Sequence, residues 1–254
     1  MYCADFDLRP RSPVAAMTLT AAQLDAAAAA VFALGGLAVY FGAGRRSHWA
    51  SRGAGAVNAV VAQRTAGAVC LGFLPVAAAA AVGRPLAREY DGFGVVAALP
   101  PAWFAALTAL VIWPAVAVSG YRGPPGGRRN HPELPVVPSQ PWSTATLLTD
   151  AVSWGLYLFA YELLFRGFLL FPLAAALGEW SAVLATSALY AAAHADKGPT
   201  EVAASAALGV PLAWAALAPP RSVLPVFVAH WGIAAIFTAA SLIAVGALPR
   251  RRWC

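Results

Sequence analysis

An all-α, polytopic bundle of about seven transmembrane helices is the fold this sequence predicts, and three observations carry it. Hydrophobic residues make up 60% of the 254 and charged residues 11%, against about 45–50% and 25% in a soluble domain; mean hydropathy is +0.67. The apolar residues fall in runs close to the roughly 20 that a helix needs to cross a hydrocarbon core of about 30 Å. Those runs are apolar on every face, whereas the strands of a membrane barrel alternate in polarity over about ten residues. The chain is therefore read as an integral protein of a lipid bilayer.

Taken in order, residues 1–19 read as a short irregular tail. Asp5, Asp7, Arg9 and Arg11, with two prolines, stand where a cleavable signal would carry a basic start and then an apolar run. Spans are predicted near 20–43, 66–83 and 102–119, the front helices of a 20–119 segment. Residues 120–142, GYRGPPGGRRNHPELPVVPSQPW, are too rich in Pro and Gly to be a helix and read as the one long loop. Four further spans, near 150–177, 180–195, 200–217 and 222–247, fill a 143–247 core, and 248–254 is a basic tail. No internal repeat is apparent. Cys3, Cys70 and Cys254 are far apart without C-x-x-C spacing, which suggests neither a disulfide framework nor a thiolate metal site.

Basic loops orient such a chain, because Lys and Arg are retained on the cytoplasmic side. Arg45, Arg46, Arg52 and Arg64 precede the second span; Arg122, Arg128 and Arg129 lie in the long loop; Arg250, Arg251 and Arg252 close the chain. With seven spans these fall on one side together with Lys197, against Arg9, Arg11, Arg84, Arg88 and Arg221 on the other. The expectation is a multi-pass protein of the plasma (inner) membrane, N-terminus outside and C-terminus inside. Topology accounts for the net charge of +6, and no nucleic-acid partner is implied, since a basic stripe with interleaved aromatics on a soluble surface is missing. The Ala- and Arg-rich composition suggests a high-GC bacterium.

The front half shows no buried ionisable group apart from Asp25, near a helix start. The back-half spans hold Asp150, Glu162, Arg166, His194 and His230, with Lys197 and Glu201 at a turn. A charge at mid-bilayer costs on the order of 3 kcal/mol on insertion scales, so these groups should face the bundle interior and are functional candidates. Singly, each has a plain reading. Glu162 and Arg166 at i and i+4 can pair as a structural staple, and a lone histidine on an apolar helix more often packs than reacts. Together they say more. Glu162 and His194 each lie 16 residues from Gly178, which puts them about 24 Å from that turn on two antiparallel helices. The two side chains are expected to line one cavity with Arg166 beside the carboxylate. Tyr161, about 100° around the helix from Glu162, is expected at the cavity's edge. His230 lies about 12 Å into its own span, so a tilt is needed to bring it level.

YELLFRGFLL from Tyr161, YAAAH from Tyr190 to His194, and SVLPVFVAHWGIA from Ser222 to Ala234 resemble, in order and spacing, the three motifs of the CAAX-protease and bacteriocin-processing family of glutamic-type intramembrane endopeptidases. Those motifs read E-E-x-x-x-R, F-x-x-x-H and H-x-x-x-N. The resemblance covers about residues 143–247 and implies that Glu162, Arg166, His194 and His230 are the catalytic set. Two positions depart from the pattern. Tyr161 stands where the water-activating glutamate would be, and Ala234 where a polar side chain helps to hold the oxyanion. HADKGPTE adds Lys197 and Glu201 as possible accessory groups, with Glu201 able to supply a missing carboxylate; both also suit interfacial charges at a helix opened by Pro199.

The resemblance implies hydrolysis of a membrane-associated peptide or protein, with water activated by a glutamate–histidine pair and no cofactor. Peptide hydrolysis needs a base for water, a proton donor for the leaving amine and donors for the oxyanion. Glu162 with His194 can supply the first two, and His230 with Tyr161 the third. Two histidines and a glutamate could instead ligate a catalytic zinc, but no H-E-x-x-H pair is present and Arg166 would set a cation beside a cation. Two non-enzymatic readings stay open: a catalytically silent relative that binds a membrane partner, and a transporter. The latter predicts repeated halves with broken helices in matching positions, and the polar residues here are confined to the back half.

Overall fold

The computed structural model describes residues 19–43, 56–81, 95, 97–122, 142–244 and 246. Among them are seven helices and no strand. Helix α1 is Ala21–Ala43. Helix α2 runs through Ala56–Ala68, a π-helical stretch Val69–Phe73 and Leu74–Ala81. Helix α3 joins Ala102–Leu107, a π stretch Thr108–Ile112 and Trp113–Arg122. Helix α4 joins Thr144–Glu162, a π stretch Leu163–Leu170 and Phe171–Leu177. Then come α5 (Glu179–Ala192), α6 (Pro199–Leu217) and α7 (Leu224–Ala244). Six of them, all but α5, are long and apolar enough to cross a membrane, so the protein is a multi-pass membrane protein. Its outward faces carry Phe73, Leu110, Val152 and Leu184, large apolar groups that suit lipid.

Three local signals set the boundaries. Ser143 caps α4 by accepting a hydrogen bond from the Thr146 amide at 3.1 Å. Gly178, at φ +83°, ends α4 and opens α5, and Gly198, at φ +102°, precedes Pro199 at the first position of α6; both use backbone freedom that residues with a Cβ lack. Each π stretch ends two residues before a proline: Phe73 before Pro75, Ile112 before Pro114, Leu170 before Pro172. Proline has no N–H, and its ring pushes away the carbonyl one turn back; the wider turn is where the helix absorbs this without breaking. Helix α4 accordingly passes both Gly167 and Pro172 as one span, Thr144–Leu177.

Helix α4 is the axis of the bundle. Some 78% of an 18-residue apolar stretch of it lies inside the protein, against 11–39% for such stretches of the other five spans, and it packs on α1, α2, α5 and α7. Small residues allow the close approaches, as membrane helices require. A Cβ added at Gly67 would run into the Tyr157 ring, and one at Gly72 would sit 2.8 Å from the Ala160 Cβ. Helices α5 and α6 are antiparallel. Trp180 meets Trp214 at 4.9 Å between ring centroids, and Gly209 packs on Ser187. With 14 residues, α5 is shorter than the predicted 180–195 span and falls short of the roughly 20 residues of a full crossing. The turn Ala195–Lys197 completes its course before α6 brings the chain back.

The second span differs most from expectation. It reaches back to Ala59 and takes in Arg64, assigned from sequence to a loop. Arg64 is buried on α2, where Nη1 donates to Asp150 Oδ1 at 2.7 Å and to Ser153 Oγ at 2.9 Å, and its guanidinium lies 4.0 Å from the centre of the Trp154 ring. So the front half does hold a buried ionisable group, neutralised by α4, and Arg64 cannot count among the loop charges that orient the chain. The tails 1–18 and 247–254 and the loop 123–141 lie outside the described residues.

Candidate functional site

The middle of α4 brings two charged side chains, one turn apart, into the bundle. Glu162 is the last residue before the π stretch Leu163–Leu170, and Arg166 lies inside that stretch. Both are fully buried, and Arg166 Nε is 3.3 Å from Glu162 Oε2. The other carboxylate oxygen, Oε1, is 2.6 Å from Nδ1 of His230 on α7. The carboxylate thus stands between a guanidinium and an imidazole. The remaining Arg166 nitrogens have no protein acceptor, and the guanidinium rests 5.0 Å from the centre of the Tyr190 ring, a cation–π contact that desolvation strengthens.

His194 lies just past the end of α5. Its Nδ1 is 2.8 Å from the Tyr190 carbonyl oxygen, one of the carbonyls a helix end leaves open. A carbonyl oxygen only accepts, so Nδ1 carries the hydrogen, and the lone pair of the neutral ring is on Nε2. The Tyr161 hydroxyl oxygen, 3.4 Å from the same Nδ1, is a second and longer acceptor, which leaves its own hydrogen to donate elsewhere. The same reasoning fixes His230 against an ionised Glu162. Nδ1–H donates to the carboxylate, and Nε2 accepts from the Tyr190 hydroxyl at 3.4 Å.

Six side chains are therefore gathered from α4, the end of α5 and α7: Tyr161, Glu162, Arg166, Tyr190, His194 and His230, all buried. Tyr161 is at the centre and not the edge. Its ring lies 5.4 Å from Tyr190, 5.9 Å from His194 and 6.1 Å from His230, edge to face in each case. The predicted gathering of Glu162, Arg166, His194 and His230 is present, but the pairing differs: the histidine on Glu162 is His230, and His194 reaches Tyr161 and the Tyr190 carbonyl. Tyr190 escaped the sequence-based set of candidates, although its place one turn before His194 was a usable signal. Lys197 and Glu201 are exposed, at the turn and in the first turn of α6. Ala234 is half-buried on α7. Among the described residues no three His, Cys, Asp or Glu side chains are grouped to hold a metal. Arg166 beside Glu162 also opposes a divalent cation there, so the donor set does not fit zinc.

Residues 140–236 match the family model described as type II CAAX prenyl endopeptidase Rce1-like. Over this segment the chain is similar to that family. The match begins just before α4 and ends just after Ala234, so it takes in every member of the cluster, while α1–α3 lie outside it. Comparisons with curated proteins and with solved structures found no match. The likeness to CAAX-type intramembrane proteases thus covers α4, the end of α5 and the first part of α7, which carry the clustered side chains.

Proposed function

We propose that this protein is an intramembrane endopeptidase that hydrolyses a peptide bond of a membrane-associated substrate, with water activated by a glutamate–histidine pair. The observation that carries the proposal is the 2.6 Å contact between Glu162 Oε1 and His230 Nδ1, buried in the bundle with Arg166 at the second oxygen. A base held in one tautomer by a carboxylate is the arrangement hydrolases use to activate a nucleophile.

The steps follow from the donors and acceptors. His230 Nε2 takes a proton from water, and the imidazolium that forms is stabilised through Nδ1–H on Glu162. The hydroxide adds to the peptide carbonyl carbon. The oxyanion receives the Tyr161 O–H, whose hydrogen His194 does not use, and the Tyr190 O–H as it turns from Nε2. At 3.4 Å that contact is longer than the usual O–H hydrogen bond of about 2.7–2.8 Å, so it is readily given up. The C–N bond breaks as His230 returns its proton to the departing amine. In this scheme Tyr161 replaces a carboxylate with a hydroxyl donor, and Glu162 orients the base.

The test is cleavage of a co-expressed library of membrane-anchored substrates by wild type, His230→Ala and His194→Ala, with the amount of folded protein measured in parallel. Products that depend on both histidines support the proposal. If no product separates wild type from His230→Ala while both complement a deletion strain equally, the chain is a catalytically silent relative that binds a membrane partner. One observation favours that second reading: an aromatic ring, Tyr161, fills the centre of the histidine cluster.

A further inference from the structure

A groove of about 1010 Å³ opens between α3 and α6, at the end of the bundle away from His194. Its floor is apolar, formed by Trp103, Pro211, Trp214 and Leu217, and at its rim stand Glu179 and Arg221. Every one of these except Pro211 and Trp214 lies at or next to a helix end. Trp103 is in the first turn of α3, Glu179 is the first residue of α5, Leu217 is the last of α6, and Arg221 precedes α7. Helix ends on one face of a membrane bundle lie at headgroup depth, where tryptophan is favoured. Trp180, 69% exposed and packed against Trp214, stands beside the groove. The cavity is at the upper end of the roughly 300–1,000 Å³ typical of small-molecule sites.

The rim pair is itself unusual for a lipid-facing surface. Arg221 Nη2 is 3.2 Å from Glu179 Oε1, with the two side chains 43% and 46% exposed. A guanidinium has five N–H donors and a carboxylate about four acceptor positions, so one mutual bond leaves most of both unused. A cation and an anion side by side, above an apolar trough at headgroup depth, are complementary to a headgroup that also carries one charge of each sign.

We propose that this groove seats one phospholipid of the phosphatidylethanolamine type, with its phosphate on Arg221, its primary ammonium on Glu179 and an acyl chain along Pro211, Trp214 and Leu217. The carboxylate accepts N–H bonds from a primary ammonium, which a quaternary ammonium cannot supply and a glycerol headgroup replaces only with neutral hydroxyls. Charge-assisted hydrogen bonds are the stronger class, so the discrimination resides in Glu179 and the general phosphate affinity in Arg221. The site is separate from the histidine cluster and does not depend on proteolysis.

Native mass spectrometry of the full chain, released from detergent after incubation with equal amounts of phosphatidylethanolamine, phosphatidylcholine and phosphatidylglycerol of identical acyl chains, tests this. Wild type should retain the ethanolamine lipid about threefold to tenfold over the other two, the discrimination of one partly exposed charge-assisted bond. Glu179→Gln should erase that preference while phosphatidylglycerol is still retained. Arg221→Gln should lower all three adducts together. Val210→Trp, which fills the groove from α6, should remove the adduct. Equal retention of the three lipids by wild type, or a preference that survives Glu179→Gln or Val210→Trp, overturns the proposal. Should Val210→Trp fail to fold, the two rim variants decide, because both side chains are exposed.

Discussion

Glu162→Gln separates the structural from the chemical role of the buried pair. The amide oxygen of a glutamine can still accept from His230 Nδ1, so the 2.6 Å contact keeps a partner. What disappears is the negative charge paired with Arg166, the one such partner among the described residues; Arg166 has no exposed surface. Its other contact, the Tyr190 ring at 5.0 Å, supplies on the order of 2 kcal/mol when desolvated. Breaking a buried pair by removing one partner typically costs about 3–5 kcal/mol. At roughly 2–4 °C per kcal/mol for a chain of this size, Glu162→Gln should lower the melting temperature by roughly 6–20 °C. Replacing both charges by neutral groups of similar volume is often near neutral, so Glu162→Gln with Arg166→Met should regain most of that loss. Thermal unfolding in detergent, followed beside substrate cleavage, reads both effects. The double variant should be nearly as stable as wild type and inactive. A single variant that melts with wild type would refute the account of Arg166 as a cation held by Glu162, and a double variant that is stable and active would refute the catalytic role of the carboxylate.

Three further outcomes are expected. Tyr161→Phe keeps the ring among Tyr190, His194 and His230 but removes the proposed oxyanion donor; turnover should fall about 10²- to 10³-fold, the usual loss for such a donor, with the melting temperature little changed. Gly67→Ala would set a methyl against Tyr157 where α2 crosses α4 and should destabilise by roughly 1–3 kcal/mol, as overpacking does, measured by thermal unfolding. For topology, a membrane-impermeant maleimide applied to intact cells should label Cys3 and leave Cys254 unlabelled until the cells are opened, since the N-terminus is proposed outside and the C-terminus inside; the opposite pattern reverses the orientation.

How much of this was legible in the sequence depends on whether the relevant interaction is local. The bundle was legible, because a bilayer demands long apolar runs and all six spans announce themselves that way. The start of the second span was not. Arg64 looks like a loop charge until Asp150, 86 residues away, is known to neutralise it, and no window along the chain contains both. The π stretches were hidden in the same way. Proline reports that a backbone donor is missing, yet whether the helix breaks or widens is decided by the neighbours that hold it in place.

The site shows the same division, with a consequence for mechanism. Counting residues from Gly178 correctly sent Glu162 and His194 toward one region. It could not say which histidine meets the carboxylate, because a rise of 1.5 Å per residue assumes a regular α-helix and the eight residues after Glu162 are π-helical. A π turn takes more residues than an α turn, so positions that follow it are rotated from where regular counting puts them. Arg166 still reaches Glu162, while the carboxylate is directed to α7 and His230. Tyr161 then occupies the space between the two histidines. The departure from the family motif at 161 is therefore compatible with chemistry for a physical reason. A glutamate there would set a second carboxylate next to Glu162 with only one guanidinium, Arg166, in the cluster, whereas a phenol adds no charge to a buried site and brings an O–H that neither histidine requires.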